Sequence, residues 1–547
     1  MRKALLFSFL LSFCILSQAQ NLQRPKLVVG IVIDQMRWDY LYRYNDVFKP
    51  TGGFKRMLNQ GFSCENNFIP YTPTVTAAGH TCIYTGSVPA IHGMVGNNWW
   101  DNNLQRSFYC TQDDSVQTVG SNTIAGQMSP RNMFSTTIGD ELRLATNFRS
   151  KVIGIALKDR GAILPAGHSA NGAYWYDYKT GDFITSTYYM NQLPAWVQAF
   201  NSRKLVDSLY KLNWNLFLPK DTYAKYCTAD VVPWEVKPLG TDQPGFPYDL
   251  TRYVGKDYSK IAPTPYGNTL TEALAEAAIK GENLGKNVVT DFLAVSFSST
   301  DYVGHSFGAN SWEQLDDFAR LDETLGKLFA FLDATVGKGN YVAFLTADHG
   351  VAHSPNFSIA NKLPGGAFPA AAVIRSMNAG LKEKYGKDGI IREFNTYESF
   401  INYQVLFNDQ VIGAANLNKD SIIQWTIDFL GKQKEIAQVF ELKNMASMPL
   451  TTKQREMISN GYYPSRSGEI QFILKPGFVE GSGNGSSHGL WNPYDSHIPL
   501  LWYGWGIKQG KTNRETYMTD IAATVAAMLH VQMPSGCIGK VIEEVMK

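Results

Sequence analysis

Apolar residues gather along this chain in short runs that end on acidic residues. Lys26-Leu-Val-Val-Gly-Ile-Val-Ile33 runs into Asp34, and Phe292-Leu-Ala-Val-Ser-Phe297 runs into Ser-Ser-Thr-Asp301-Tyr-Val-Gly-His305. Tyr341-Val-Ala-Phe-Leu345 runs into Thr-Ala-Asp348-His349-Gly350. Nearly continuous runs rich in β-branched residues are the pattern of strands buried on both faces of a parallel sheet. Lys151–Leu157 predicts a fourth such strand and Ile498–Tyr503 a fifth. Helical periodicity fills the intervals. Ser311-Trp-Glu-Gln314 has capping-box spacing, and Leu315, Phe318, Leu321, Leu325, Leu328, Phe329 and Leu332 follow at three-and-four spacing. Leu270, Ala273, Leu274 and Ala277 mark a second helix, and Asp520–His530 reads as another packed on the sheet. Strands alternating with helices predict an α/β fold. Two stretches break the alternation: residues of about 166–265, rich in Tyr, Trp, Asn and Pro, and a more polar stretch of about 368–477. Both read as insertions on one core domain spanning 20–547.

Composition narrows the picture. With 44% hydrophobic residues among 547, and a net charge of only +2, the chain is neither largely disordered nor basic enough to have nucleic acid as its main partner. Arg2 and Lys3 precede an apolar run from Ala4 to Leu16, and Ser17-Gln18-Ala19 resembles a cleavage site. Residues 1–19 therefore read as a signal peptide, which predicts an exported protein, periplasmic or secreted. The run falls short of the roughly 20 residues a membrane span needs, and no later run is long enough. Cys14 leaves with the leader, so Cys64, Cys82, Cys110, Cys227 and Cys537 remain. Their odd number leaves a thiol over in a single chain. Cys64, Cys82 and Cys110 are near enough in sequence to compete for one bridge, and the absence of CxxC spacing argues against a thiolate zinc site.

The candidate chemistry sits where such sheets place it. In open α/β sheets, ligands bind beyond the carboxyl ends of the strands. Asp34, Asp301, Asp348 and Lys158 all fall there, joined by His305, His349 and His488. Carboxylate oxygens with imidazole nitrogens suit zinc or a similar transition metal. An isolated Asp-His pair is more often a capped turn, and His488 in Gly485-Ser-Ser-His-Gly489 alone would read as a loop residue; the shared strand-end placement predicts a two-metal site. A nucleophile candidate lies in Thr72-Pro-Thr-Val-Thr76-Ala-Ala-Gly79-His80. A hydroxyl at a helix start meets N–H donors and the positive dipole end, which favour an anion. A metal ion is needed to lower its pKa. Considered alone, Thr76 reads more readily as an N-cap.

Taken in order, Asp34, Thr76-xxx-His80, Asp301-xxx-His305, Asp348-His349 and Gly-x-x-His488 resemble the alkaline phosphatase superfamily. The pattern is similar to its threonine-nucleophile branch, which contains nucleotide pyrophosphatase/phosphodiesterases and the PafA-type phosphatases. The family's Thr-Phe-Pro-Asn-His is here Thr76-Ala-Ala-Gly79-His80. The resemblance implies a three-layer sandwich with a mainly parallel central sheet and large insertions. It implies two Zn2+ ions, one held by Asp301, His305 and His488, the other by Asp34, Asp348, His349 and the Thr76 oxygen. It implies attack by Thr76 to form a phosphothreonine that water then hydrolyses. His92-Gly-Met-Val-Gly-Asn97 matches the segment whose Asn contacts a phosphoryl oxygen, so Asn97 is preferred over Asn98. Lys158-Asp-Arg160 matches the Lys-x-Arg of PafA-type monoesterases, which the phosphodiesterase branch lacks. Alone, that triplet would read as a surface charge cluster. The expectation is an alkaline phosphatase acting on small-molecule phosphate monoesters, its oligomeric state open with a monomer favoured. A phosphodiesterase is the alternative within the superfamily. A sulfatase is set aside because Cys82 lacks the required context, and a phosphoglycerate mutase because it would use Ser and normally lacks an export signal. A secreted saccharide-binding protein, lined by some of the 12 Trp and 28 Tyr, is the alternative from another class.

Overall fold

Each predicted strand forms, and their register brings the strand ends level. In the computed structural model, which describes residues 23–392 and 400–547, β1 spans Leu27–Ile33. The leader read at 1–19 lies outside the described residues. The remaining strands of the central sheet are β2 (Phe62–Phe68), β3 (Thr118–Val119), β4 (Val152–Ala156), β5 (Gly172–Asp177), β6 (Asp182–Ser186), β7 (Asp291–Phe297), β8 (Tyr341–Thr346), β9 (Leu500–Gly504) and β10 (Gly510–Tyr517). They form a ten-stranded sheet in the order β10-β2-β9-β8-β1-β7-β4-β5-β6-β3. The central run from β8 to β5 is parallel throughout, while β9 joins β8 antiparallel. Every residue of β1, β4, β7 and β8 is buried, because helices cover both faces.

One face carries α1 (Thr76–Thr85), α3 (Asp159–Ala166) and α8 (Asp520–Leu529), with α1 in contact with both of the others. A second group comprises α4 (Tyr266–Gly281), α5 (Ser299–Phe307) and α6 (Trp312–Leu332). Between α1 and α3 in the chain lies the short α2 (Pro89–His92). Ser311 caps α6 by accepting from the Gln314 N–H, as its spacing predicts.

The two interrupted stretches differ in kind. The first contributes β5 and β6 to the central sheet, so its start is part of the core rather than an insertion. Its strands escape the sequence pattern because Gly172-Ala-Tyr-Trp-Tyr-Asp177 is aromatic rather than β-branched. The second builds a separate three-stranded sheet and its own hydrophobic cluster around Met377, Ile422 and Phe472. It also carries α7 (Thr452–Gly461), which returns toward α2. The five cysteines among the described residues are free thiols, with Cys64, Cys82 and Cys110 buried.

Candidate active site

Register explains why residues so far apart in sequence meet. Val32 pairs with Thr346 and Ser296, and Ser296 pairs with Ala156. Two residues past each of these stand Asp34, Asp348, Ser298 and Lys158, level with one another at the carboxyl edge. β7 then enters α5, where Asp301 and His305 share a face at i, i+4 spacing. His488 arrives from the loop after the second insertion.

The two expected ligand sets assemble around Thr76. His349 Nε2 lies 3.6 Å from Asp34 Oδ1, 3.5 Å from Asp348 Oδ2 and 3.5 Å from the Thr76 hydroxyl. His305 Nε2 is 3.2 Å and His488 Nε2 3.8 Å from Asp301 Oδ1. His349 also faces the second set: its ring stacks on His488 at 3.5 Å, and ligand atoms of Asp301, His349 and His488 lie within 4.8 Å of one another. The histidines share one orientation. Nδ1 faces Ser486 O at 2.7 Å in His305, Gly350 O at 3.0 Å in His349 and Thr74 O at 2.7 Å in His488. A carbonyl only accepts, so Nδ1 carries a proton and each Nε2 faces the centre, the nitrogen a metal ligand would use.

Charge in the pocket is uncompensated by protein alone. Burial, and after it the Asp348 charge, push the Asp34 carboxyl well up. Asp301 is buried too, but His305 and Lys158 outweigh burial and hold its carboxyl well below the usual range. Burial, with His349 and His305 adjacent, depresses His488 and keeps it neutral. Asp34 Oδ1 and Asp348 Oδ2 are buried without a hydrogen-bond partner. Such orphaned carboxylate oxygens fit a site built for cations.

Thr76 is not an N-cap. Val75 holds that position, with no side-chain cap, and Thr76 is the first residue of α1. Asn97 approaches the same helix start: Ala77 N–H donates to Asn97 Oδ1 at 3.0 Å, which turns the Asn97 amide donors outward. Asn98 instead begins a short ribbon strand paired with Tyr109. Lys158 is only 3% exposed, so the surface-cluster reading fails for it. Its Nζ stands between the ligand sets, 2.7 Å from Asp34 Oδ2 and 2.6 Å from Asp301 Oδ2. Arg160 is half-buried and donates to the Tyr109 hydroxyl at 3.0 Å. A cavity of about 640 Å³ opens over the site, with Asn97, His305 and His488 on one side and Arg375 and Tyr403 on the other.

Several supporting residues take roles that no spacing announced. Gln35 bridges the sets, donating from its backbone to Asp348 Oδ1 at 3.1 Å and from Nε2 to Asp301 Oδ1 at 2.7 Å. His80 has its nitrogens on Thr76 O at 2.9 Å and Ser296 Oγ at 2.8 Å, so it orients the nucleophile helix. Asp159 accepts from Tyr109 at 2.8 Å and also from Thr111, fixing the tyrosine that meets Arg160.

An α/β sheet with this strand-end constellation defines a class, and comparison with known proteins agrees. The chain belongs to the type I phosphodiesterase / nucleotide pyrophosphatase family, whose model matches residues 28–488. It is 52% identical over 531 residues to alkaline phosphatase PhoV of Synechococcus elongatus, covering 96% of this chain and 94% of that protein. It is 50% identical over 529 residues to alkaline phosphatase PafA of Elizabethkingia meningoseptica, covering 96% and 95%. A crystal structure of wild-type alkaline phosphatase PafA matches with a TM-score of 0.92 at 49% identity, covering 96% of this chain and 99% of that one. A second crystal structure of PafA is a variant altered at a threonine, an asparagine, a lysine and an arginine. Its threonine and asparagine are as far apart in sequence as Thr76 and Asn97, and its lysine and arginine, like Lys158 and Arg160, flank a single residue.

Proposed function

We propose that this chain is an exported alkaline phosphatase that holds two zinc ions and hydrolyses phosphate monoesters through a phosphothreonine at Thr76. The observation that carries the reading is the meeting of orphaned carboxylate oxygens and inward-facing imidazoles at a threonine hydroxyl that caps nothing. Asp34, Asp348, His349 and Thr76 would hold one ion, and Asp301, His305 and His488 the other. Bound zinc supplies Lewis acidity that lowers the pKa of a hydroxyl or water and offsets charge on a leaving oxygen.

The chain's own residues do the rest. The Thr76 oxygen bonds to phosphorus as the ester P–O bond breaks, and the leaving alkoxide takes up a proton. Water then displaces the threonine oxygen, releasing phosphate and restoring the hydroxyl. The N-terminal N–H groups of α1 favour the phosphoryl charge. Asn97, oriented by Ala77, offers its amide to a nonbridging oxygen. Lys158 and Arg160 add a point charge and a planar fork for the extra charge of a monoester dianion. The PafA variant altered at the same residue types supports treating these as one working set. The leader at 1–19 supports export, and no helix among the described residues is long and apolar enough to cross a membrane. Trp99, Trp175, Trp214 and Trp502 are fully buried and pack the core rather than line a saccharide surface.

Two measurements test the proposal. Elemental analysis of freshly purified, active enzyme is expected to find about two zinc ions per chain, as a two-metal clamp requires. Active protein free of transition metal ends the reading. An aryl phosphate monoester is expected to turn over faster than its matching diester, and the reverse order favours the phosphodiesterase activity named in the family.

A further inference from the structure

Arg466 belongs to the second insertion, and the proposed reaction makes no use of it. Its residue is 6% exposed, although it carries a guanidinium. Nη1 donates to Gly93 O at 2.6 Å and to Asn132 O at 2.9 Å. The guanidinium lies 4.2 Å from the Phe134 ring centre and 4.6 Å from that of Trp99. Asp101 Oδ2, at 3.8 Å from Nε, is its nearby countercharge. Burying a guanidinium is costly unless its donors are used, so what it holds merits identification.

It holds the start of the segment that ends in Asn97. Gly93 closes α2 in a left-handed conformation, φ 79°, and its carbonyl is the one Arg466 takes. Four residues on, Asn97 is fixed twice: its carbonyl accepts from Cys110 N at 2.9 Å and its Oδ1 from Ala77 N at 3.0 Å. The segment is thus pinned at both ends, one pin coming from the insertion. The same insertion also grips the approach to the nucleophile. Met457 O accepts from Thr72 N at 3.1 Å, and Asn460 Nδ2 donates to Pro70 O at 2.8 Å.

We infer that Arg466 is a positioning residue for phosphate: by holding Gly93 it sets the reach of Asn97 toward the phosphoryl oxygen, which makes the second insertion part of the working site. The inference rests on the role proposed above for Asn97. Lysine would not reproduce the arrangement, because it lacks the planar guanidinium that lies against the aromatic rings while Nη1 bonds both carbonyls.

A double-mutant cycle tests this on the zinc-loaded enzyme, with kcat/KM for an aryl phosphate monoester as the readout. Arg466→Met keeps an apolar stem between Trp99 and Phe134 and removes the donors. Asn97→Ala is expected to cost roughly a hundred-fold, the usual scale for one preorganised donor. Arg466→Met is expected to cost about ten-fold in the wild-type background, because misplacement of such groups is expensive. In the Asn97→Ala background it is expected to cost less than about two-fold, since both changes then remove one interaction. Should Arg466→Met fail to fold, Arg466→Lys carries the same cycle. Equal losses in both backgrounds, or no loss in either, overturn the inference and leave Arg466 a support of the fold. An unchanged Asn97→Ala enzyme instead overturns the assignment of Asn97, and with it this role for Arg466.

Discussion

Thr76 owes its proposed chemistry to what its hydroxyl is spared. A threonine at a helix start usually caps, yet Val75 takes the N-cap position and Thr76 turns its oxygen to His349 at 3.5 Å. Thr76→Ala removes the attacking atom and leaves the other ligands in place, so activity is expected to fall by at least roughly a thousand-fold. Thr76→Ser keeps the oxygen and is expected to retain a substantial part. An alanine variant at wild-type rate, or a phosphoryl group trapped on another residue, removes Thr76 from the mechanism. At this scale much of the site was legible in the sequence. Asp34, Asp301, Asp348 and Lys158 follow apolar runs whose ends are predictable, and His305 and His349 lie beside them in the chain, while His488 entered only through the ordered motif set. Gln35 and Ser296 were not legible, because a buried polar residue that only orients a ligand has no spacing of its own. His80 was visible as a motif member, but its role needed the contacts to Thr76 O and Ser296.

Among the elements, α1 shows how close packing fixes a site. A Cβ added at Gly79 would stand 2.4 Å from Asp348 O and 2.7 Å from Asp348 Cβ. Glycine there lets Asp348, just past the end of β8, press against the nucleophile helix. Gly79→Ala must push Asp348 away or displace the helix, and overpacking of this kind costs about 1–3 kcal/mol. Zinc content is expected to fall from two toward one per chain, with activity falling further than thermal stability. A variant with full zinc and full activity contradicts this account of the contact. The strands divide by the same physics. β1, β7 and β8 are buried on both faces and so read as unbroken apolar runs. β2, with the sequence Phe-Ser-Cys-Glu-Asn-Asn-Phe, and the mostly exposed β10 lie toward the sheet's edge and carry polar residues, so no periodicity announces them. β5 and β6 were hidden inside an aromatic stretch that lacked the β-branched signature.

Across the whole molecule, the proposed ions would couple to folding through the carboxylates gathered at the sheet edge. Ions that bind the folded chain stabilise it by mass action, by about 4 kcal/mol when free zinc exceeds its Kd a thousand-fold. Chelation is therefore expected to lower Tm as well as abolish turnover, with zinc restoring both; an unchanged Tm contradicts the coupling. The same site has to choose between esters, and that choice is the central claim. On the proposed reading Lys158 and Arg160 answer the second negative charge of a monoester, whereas Thr76 and the proposed metal ligands would serve either ester. The most direct test is kcat/KM for an aryl phosphate monoester and its matching aryl diester, in the wild type and in Lys158→Ala/Arg160→Ala. Monoester hydrolysis is expected to fall by roughly two orders of magnitude or more, the scale of one lost preorganised donor, and diester hydrolysis much less. Equal losses on both esters contradict the account and return the chain to the phosphodiesterase reading.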